Sequence, residues 1–147
     1  MPNTTQIPPP RVPLLDLKTG LISREWYRYL FNQYELLAQV IGVTGTARQL
    51  TSKSTGVTLN NLSGQIVMDA DPLAASASVT FTLTNNYIAV GDTVVVTMGP
   101  GGTLDAYTVT VRSVADGSAR IQVANVSAGS LSESPVVNFA VIKAVTS

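Results

Sequence analysis

From Val57 onward, apolar residues recur at every second position in short segments, and turn residues interrupt them at close intervals. A period of two puts alternate side chains on opposite faces of an extended strand. This pattern excludes a helical bundle for the longer part of the chain. The expected strands are 57–62, 65–69, 78–84, 87–90, 93–98, 106–114, 120–126 and 136–143. Ser63-Gly64, Asp71-Pro72, Asn85-Asn86, Gly91-Asp92, Gly99-Pro100-Gly101-Gly102 and Asp116-Gly117 separate them. Val79, Phe81 and Leu83 share one face, with Thr80 and Thr82 on the other. Tyr107, Val109 and Val111 alternate with Thr108, Thr110 and Arg112 in the same way. Strands greasy on one face only build a two-layer antiparallel stack. Residues 57–147 are therefore expected to form an antiparallel eight-stranded β-sandwich, jelly-roll-like, in a mainly β chain. Val94, Val95 and Val96 and the segment 136–142 are largely apolar on both faces and should be central strands or lie under a neighbour.

Upstream the pattern differs twice. Residues 1–22 carry Pro2, Pro8, Pro9, Pro10 and Pro13, which fix φ and remove backbone donors. An extended arm is expected there. Termini are commonly disordered, but Ile7, Val12, Leu14, Leu15 and Leu17 are more apolar than a solvated tail needs. Ile7, Pro8, Pro9, Pro10, Val12, Leu14 and Leu15 are the candidate anchoring residues. Residues 23–42 then read as one α-helix, with Ser23 placed to cap it, Glu25 in the first turn and Gly42 as the stop. Tyr27, Leu30, Tyr34, Leu37 and Ile41 follow a 3-4-3-4 spacing that makes one apolar seam. Trp26 and Phe31 are the candidates for packing at the helix start. Two heptads leave open whether the seam meets identical helices or the chain's own β-domain. Residues 43–56 are rich in Thr, Ser and Gly and read as a linker, which favours self-association.

The same residue inventory narrows the chemistry. The 147 residues include no His and no Cys, which removes imidazole and thiolate nucleophiles and disulfides. Nine basic and nine acidic side chains cancel, so no broad electrostatic footprint for nucleic acid or anionic membrane is expected. No run reaches the roughly 18 apolar residues that span a bilayer, and a soluble chain is expected. Asp69 and Asp71 lack the further oxygen ligands and closing Glu of a calcium loop, so a turn at Asp71-Pro72 is the favoured reading. The Gly99–Gly102 run lacks the Lys-Ser/Thr ending of a phosphate loop and reads as a hairpin. Neither an enzyme nor a cofactor is expected. Only 12% of residues are charged, against ~25% in ordinary soluble domains. Sheet edges without charged guards are prone to pair, so much of this surface is expected to lie against other subunits.

Two stretches add a resemblance. Leu17-Lys18-Thr19-Gly20-Leu21-Ile22-Ser23-Arg24-Glu25-Trp26-Tyr27-Arg28-Tyr29-Leu30 resembles a short amino-terminal element of small structural proteins of tailed bacteriophages. The region from Ser54-Thr55-Gly56-Val57 through Tyr107-Thr108-Val109-Thr110-Val111 to Ser130-Leu131-Ser132-Glu133 is similar to a β-sandwich module that ends phage fibre and head-surface proteins. The resemblance implies a homotrimer on the virion, joined through its helices and anchored by its arm to the major capsid protein or another virion protein. The expected function is capsid decoration or a head fibre, with a short tail or neck fibre as the alternative. In that alternative, Tyr87 and the 99–105 loop are the two candidates for an exposed aromatic or loop-borne binding patch. The resemblance carries over no catalytic residue.

Overall fold

The computed structural model describes residues 12–41 and 45–144. Ile7, Pro8, Pro9 and Pro10 lie outside them, as does Gly42. The chain divides into two units, Met1–Gly42 and Val43–Ser147.

In the first unit, α1 runs Arg24–Ile41. Ser23 begins it through its carbonyl, which accepts from the Tyr27 amide at 2.9 Å. The capping hydroxyl expected at Ser23 does not act: its Oγ is buried without a hydrogen-bond partner. No helix among the described residues is long and apolar enough to cross a membrane.

The second unit holds eight strands: β1 (Thr46–Arg48), β2 (Val57–Thr58), β3 (Ser63–Val67), β4 (Ser78–Thr84), β5 (Thr93–Met98), β6 (Tyr107–Ala115), β7 (Ser118–Asn125) and β8 (Val136–Ile142). They form two four-stranded sheets, ordered β1-β3-β8-β5 and β2-β4-β7-β6. The purely antiparallel arrangement expected from the sequence is corrected here. β1 runs parallel to β3, and β2 parallel to β4, while the remaining pairs are antiparallel. Both sheets are mixed because each takes in a short segment from residues 45–58 at its margin. β1 therefore lies inside the stretch read as linker.

The strand count also conceals an exchange. Residues 87–90 are not a strand: the Asn85 side chain accepts from the Tyr87 amide at 2.9 Å and its carbonyl from the Ile88 amide at 3.1 Å, coiling the segment into a turn that drops Ile88 into the core. The 99–102 run is not a hairpin, since it carries the chain from β5 in one sheet to β6 in the other. A true two-residue hairpin joins β6 to β7, where Ala115 pairs with Ser118 around Asp116 and Gly117. Gly117 has φ +74°, a conformation that costs L side chains strain and glycine little.

One hydrophobic core draws on both sheets. Ile66, Val137, Phe139 and Val141 come from the first sheet; Phe81, Leu83, Ile121 and Val123 come from the second. These are the inward residues of the period-two pattern. β8 is central, as its doubly apolar sequence suggests, but β5 is an edge strand paired only with β8. Val95, expected in a central strand or one lying under a neighbour, is 42% exposed.

Candidate interaction surface

The described part of the arm is not extended. Residues 14–23 double back on themselves, with Leu15 and Ile22 forming an antiparallel bridge. The Asp16 amide donates to the Leu21 carbonyl and the Gly20 amide to the Asp16 carbonyl, both at 2.8 Å, and the Ser23 amide donates to the Leu14 carbonyl at 2.8 Å. The Asp16 carboxylate closes the turn by accepting from the Lys18 amide at 2.8 Å. Gly20 takes φ +68° at the tip, which is why Thr19-Gly20 can reverse the chain here. Five proline-spaced residues earlier in sequence give no hint of this reversal; Asp16 and Gly20 do.

Trp26 fastens the hairpin to the helix. Its indole N–H donates to the Val12 carbonyl at 3.0 Å, and its ring meets Tyr29 edge to face at 6.0 Å. At the helix start, Trp26 thus contacts Val12 of the arm. Phe31, the other helix-start candidate, instead stacks on Tyr27 at 6.1 Å and is 46% exposed.

Within this unit the apolar side chains are left largely uncovered. Tyr27, Leu30 and Tyr34 of the seam are exposed, Tyr34 at 68%. Leu14, Leu15, Leu17, Leu21 and Ile22 project from the hairpin, Leu17 at 93%. Leu37 and Ile41 continue the seam along α1, and their side chains lie outside the described set. Tyr27, Leu30, Phe31 and Tyr34 fall on one helical face by their 3- and 4-residue spacing. A single helix cannot bury such a face on itself.

The second unit contains polar constructions that the sequence reading passed over. Lys53, assigned to a linker, is buried at 2% exposure. Its ammonium donates to three backbone carbonyls, of Asp69 at 2.6 Å, Asp71 at 2.5 Å and Glu133 at 2.7 Å. Burial pushes its pKa down, and the nearby Asp69, Asp71 and Glu133 carboxylates oppose that shift. Gln49, also buried, donates through its side chain to the carbonyls of Lys53 and Thr55 and accepts from the Asp69 amide. The turn expected at Asp71-Pro72 is not found there; the Asp71 amide donates to the Asp69 carboxylate instead, and the carbonyls of both residues face a lysine. An isolated Lys and Gln among Ser and Thr carry no periodic signal, so sequence reading could not find this clasp.

Glu133 links the same end to the 99–105 loop. Its carboxylate accepts from the Thr103 amide at 2.8 Å and from the Thr103 hydroxyl at 2.5 Å, and these bonds hold its pKa below the usual value. The Tyr107 hydroxyl is buried with no hydrogen bond of normal geometry. Burial, helped by the Glu133 carboxylate, pushes its pKa up to about 12. Beside it lies a cleft of about 290 Å³ lined by Met98, Pro100, Thr103, Leu104, Asp105 and Tyr107.

At the opposite end of β5, Asp92 pairs with Lys143 and accepts from the Ala89 amide at 2.8 Å and the Ala144 amide at 2.9 Å. The Lys143 hydrogen bond, then the two amides, lower its pKa to about 2. Tyr87 belongs to this end, because its carbonyl accepts from the same Lys143 ammonium at 2.8 Å. Tyr87 and the 99–105 loop are therefore separated by the whole of β5, roughly 17 Å at ~3.4 Å per residue. They are two separate candidates.

No protein-family model, curated protein or solved structure matches this chain.

Proposed function

We propose that this chain is a structural subunit of a tailed-bacteriophage particle, a homotrimeric capsid-decoration or head-fibre protein on the virion surface. The observation that carries the reading is the uncovered apolar surface of the first unit, where hairpin leucines and the Tyr27, Leu30, Phe31 and Tyr34 face are exposed together. In this reading the α1 seam joins three copies, and the arm, including Ile7, Val12, Leu14 and Leu15, binds the major capsid protein or another virion protein. The number three follows from the resemblance to small phage proteins. The second unit is then a β-sandwich-like module, its jelly-roll likeness confined to the two-layer build around one core. The role is mechanical, with no catalytic step, cofactor, nucleic acid or membrane. Threefold attachment multiplies weak contacts through effective concentration.

Deletion of residues 1–15 tests the anchor. Loss of the protein from purified particles, with the β-unit still folded, is the expected result; unchanged incorporation refutes the role of the arm.

A second reading, a tail or neck fibre subunit, draws on one observation. Leu104 is 87% exposed beside the cleft at the tip of the 99–105 loop, as a receptor-contacting side chain would be. Saturable adsorption of the purified protein to host cells, lost in Leu104→Ser, would favour it over decoration.

A further inference from the structure

Two arginines meet on the outer face of the second sheet. Arg120 lies on β7, between β4 and β6, and points outward because its neighbours Ala119 and Ile121 are buried in the core. On β6 the register shifts: Val111 pairs with Ile121 and Ser113 with Arg120, so Arg112 is the extra residue of a bulge. A bulge sets two residues against one and re-aims a side chain. Arg112 and Ser113 are both exposed as a result, opposite the exposed Arg120.

Like charges facing each other across a ladder destabilise it, and nothing on this face offsets them. Among the described residues the one ion pair joins Lys143 to Asp92, and no hydrogen bond engages either guanidinium. The outward residues of β4, β6 and β7 include no Asp or Glu. Protection of a free sheet edge does not account for the pair: β7 is an interior strand, and β6 lies against β5 of the other sheet. An anion held between the two guanidiniums removes the repulsion, because each presents a planar fork of N–H donors that matches the oxygens of a carboxylate or sulfate.

The surroundings of the pair define the molecule that carries the anion. Thr82 sits opposite Arg120 on β4, and the next row holds Thr80, Gln122 and Thr110. These place hydroxyls and an amide ~4.8 Å apart across the strands and ~6.8 Å apart along them. The Gln122 side-chain nitrogen donates to the Ser78 hydroxyl at 2.9 Å, which leaves its oxygen to accept. The same outward face has no aromatic and no large apolar side chain. A protein partner would need such a core, a nucleic acid would need stacking platforms and more phosphate contacts, and an anionic membrane a denser basic cluster. A hydrated chain that bears both hydroxyls and acid groups needs none of these. We infer that this face binds an acidic polysaccharide, with Arg112 and Arg120 on its carboxylate or sulfate groups and Thr80, Thr82, Thr110 and Gln122 on its hydroxyls. The site is complete within one copy of the chain and does not depend on association through α1.

Full-length protein is passed over immobilised polygalacturonate, which bears carboxylates, and dextran sulfate, which bears sulfates, at low and at physiological ionic strength. Dextran serves as the uncharged polysaccharide and poly-glutamate as the acid without sugar. Binding to at least one of the two acidic polysaccharides should be at least tenfold tighter than to dextran or poly-glutamate, and should weaken as salt rises; which of the two binds identifies the acid group. Arg112→Gln and Arg120→Gln should each weaken it at least tenfold and Thr82→Val at least threefold. Arg48→Gln, which removes the same charge from an exposed position on β1, should leave it unchanged. Neither Arg112→Gln nor Arg120→Gln should lower the melting temperature, since each removes a repulsion. Retention on neither acidic polysaccharide, equal binding to poly-glutamate, or an equal loss in Arg48→Gln overturns the inference.

Discussion

Replacing Lys53 with Met keeps most of the aliphatic stem and removes the ammonium. Three carbonyls then lose a charged donor: those of Asp69, Asp71 and Glu133. A hydrogen bond from a charged group contributes about 1.5–3 kcal/mol, which would sum to roughly 4–9 kcal/mol if every carbonyl stayed dry. Asp71 is exposed, so its carbonyl regains water; Asp69 and Glu133 are half-buried and regain less. Methionine also relieves the desolvation that pushes the Lys53 pKa down. The net loss expected is about 2–4 kcal/mol, a large part of the ~5–15 kcal/mol that holds a typical domain. The melting temperature should fall by roughly 10–20 °C. Urea unfolding followed by far-ultraviolet circular dichroism reads the change, with an unaltered slope showing that the fold is retained. A loss under about 0.5 kcal/mol would refute the claim that Lys53 clasps residues 49–55 to the loops around Asp69 and Glu133.

Three further outcomes follow from the geometry. Phe81→Ala, at a side chain 2% exposed, should cost about 3–5 kcal/mol in the same urea assay. Asp92 has a folded pKa of about 2 against 3.8 when unfolded, so the native state binds fewer protons; its stabilisation is present above the unfolded value and is lost as pH falls towards 2. Asp92→Asn should flatten the acid limb of the stability profile between these values and leave the alkaline side unchanged. Trp26 is the sole tryptophan, and Trp26→Phe removes its bond to Val12; a loss of about 1 kcal/mol, read as faster exchange of the hydrogen-bonded Asp16 and Ser23 amides, is expected.

The parts legible in sequence were those written in a repeating period. Val79, Phe81 and Leu83, or Ile121 and Val123, face inward because alternation on a pleated strand leaves no other choice once one face must be dry. The 3-4-3-4 spacing from Tyr27 likewise marked α1 to within a residue at each end. Features set by distant partners were not legible. β1 has three residues and exists because Ala47 lies beside Ile66 in a parallel pair, a neighbour that no local pattern names. Residues 87–90 look like a strand from their own composition, but the Asn85 side chain and carbonyl bend them into a turn. The three prolines at 8–10 suggested one extended arm through residue 22, whereas Asp16 and Gly20 reverse its described part. Val95 reads as a core residue because both its neighbours are valines; only the strand order makes β5 an edge.

Sedimentation equilibrium of the full-length protein at micromolar concentration tests the central claim most directly. The proposed homotrimer, joined through the uncovered Tyr27, Leu30, Phe31 and Tyr34 face and numbered by the resemblance, predicts a single species of three times the 15.4 kDa chain mass, reduced to the monomer when Leu30 and Tyr34 are both changed to Glu. A protein that sediments at 15.4 kDa before any substitution would contradict the account.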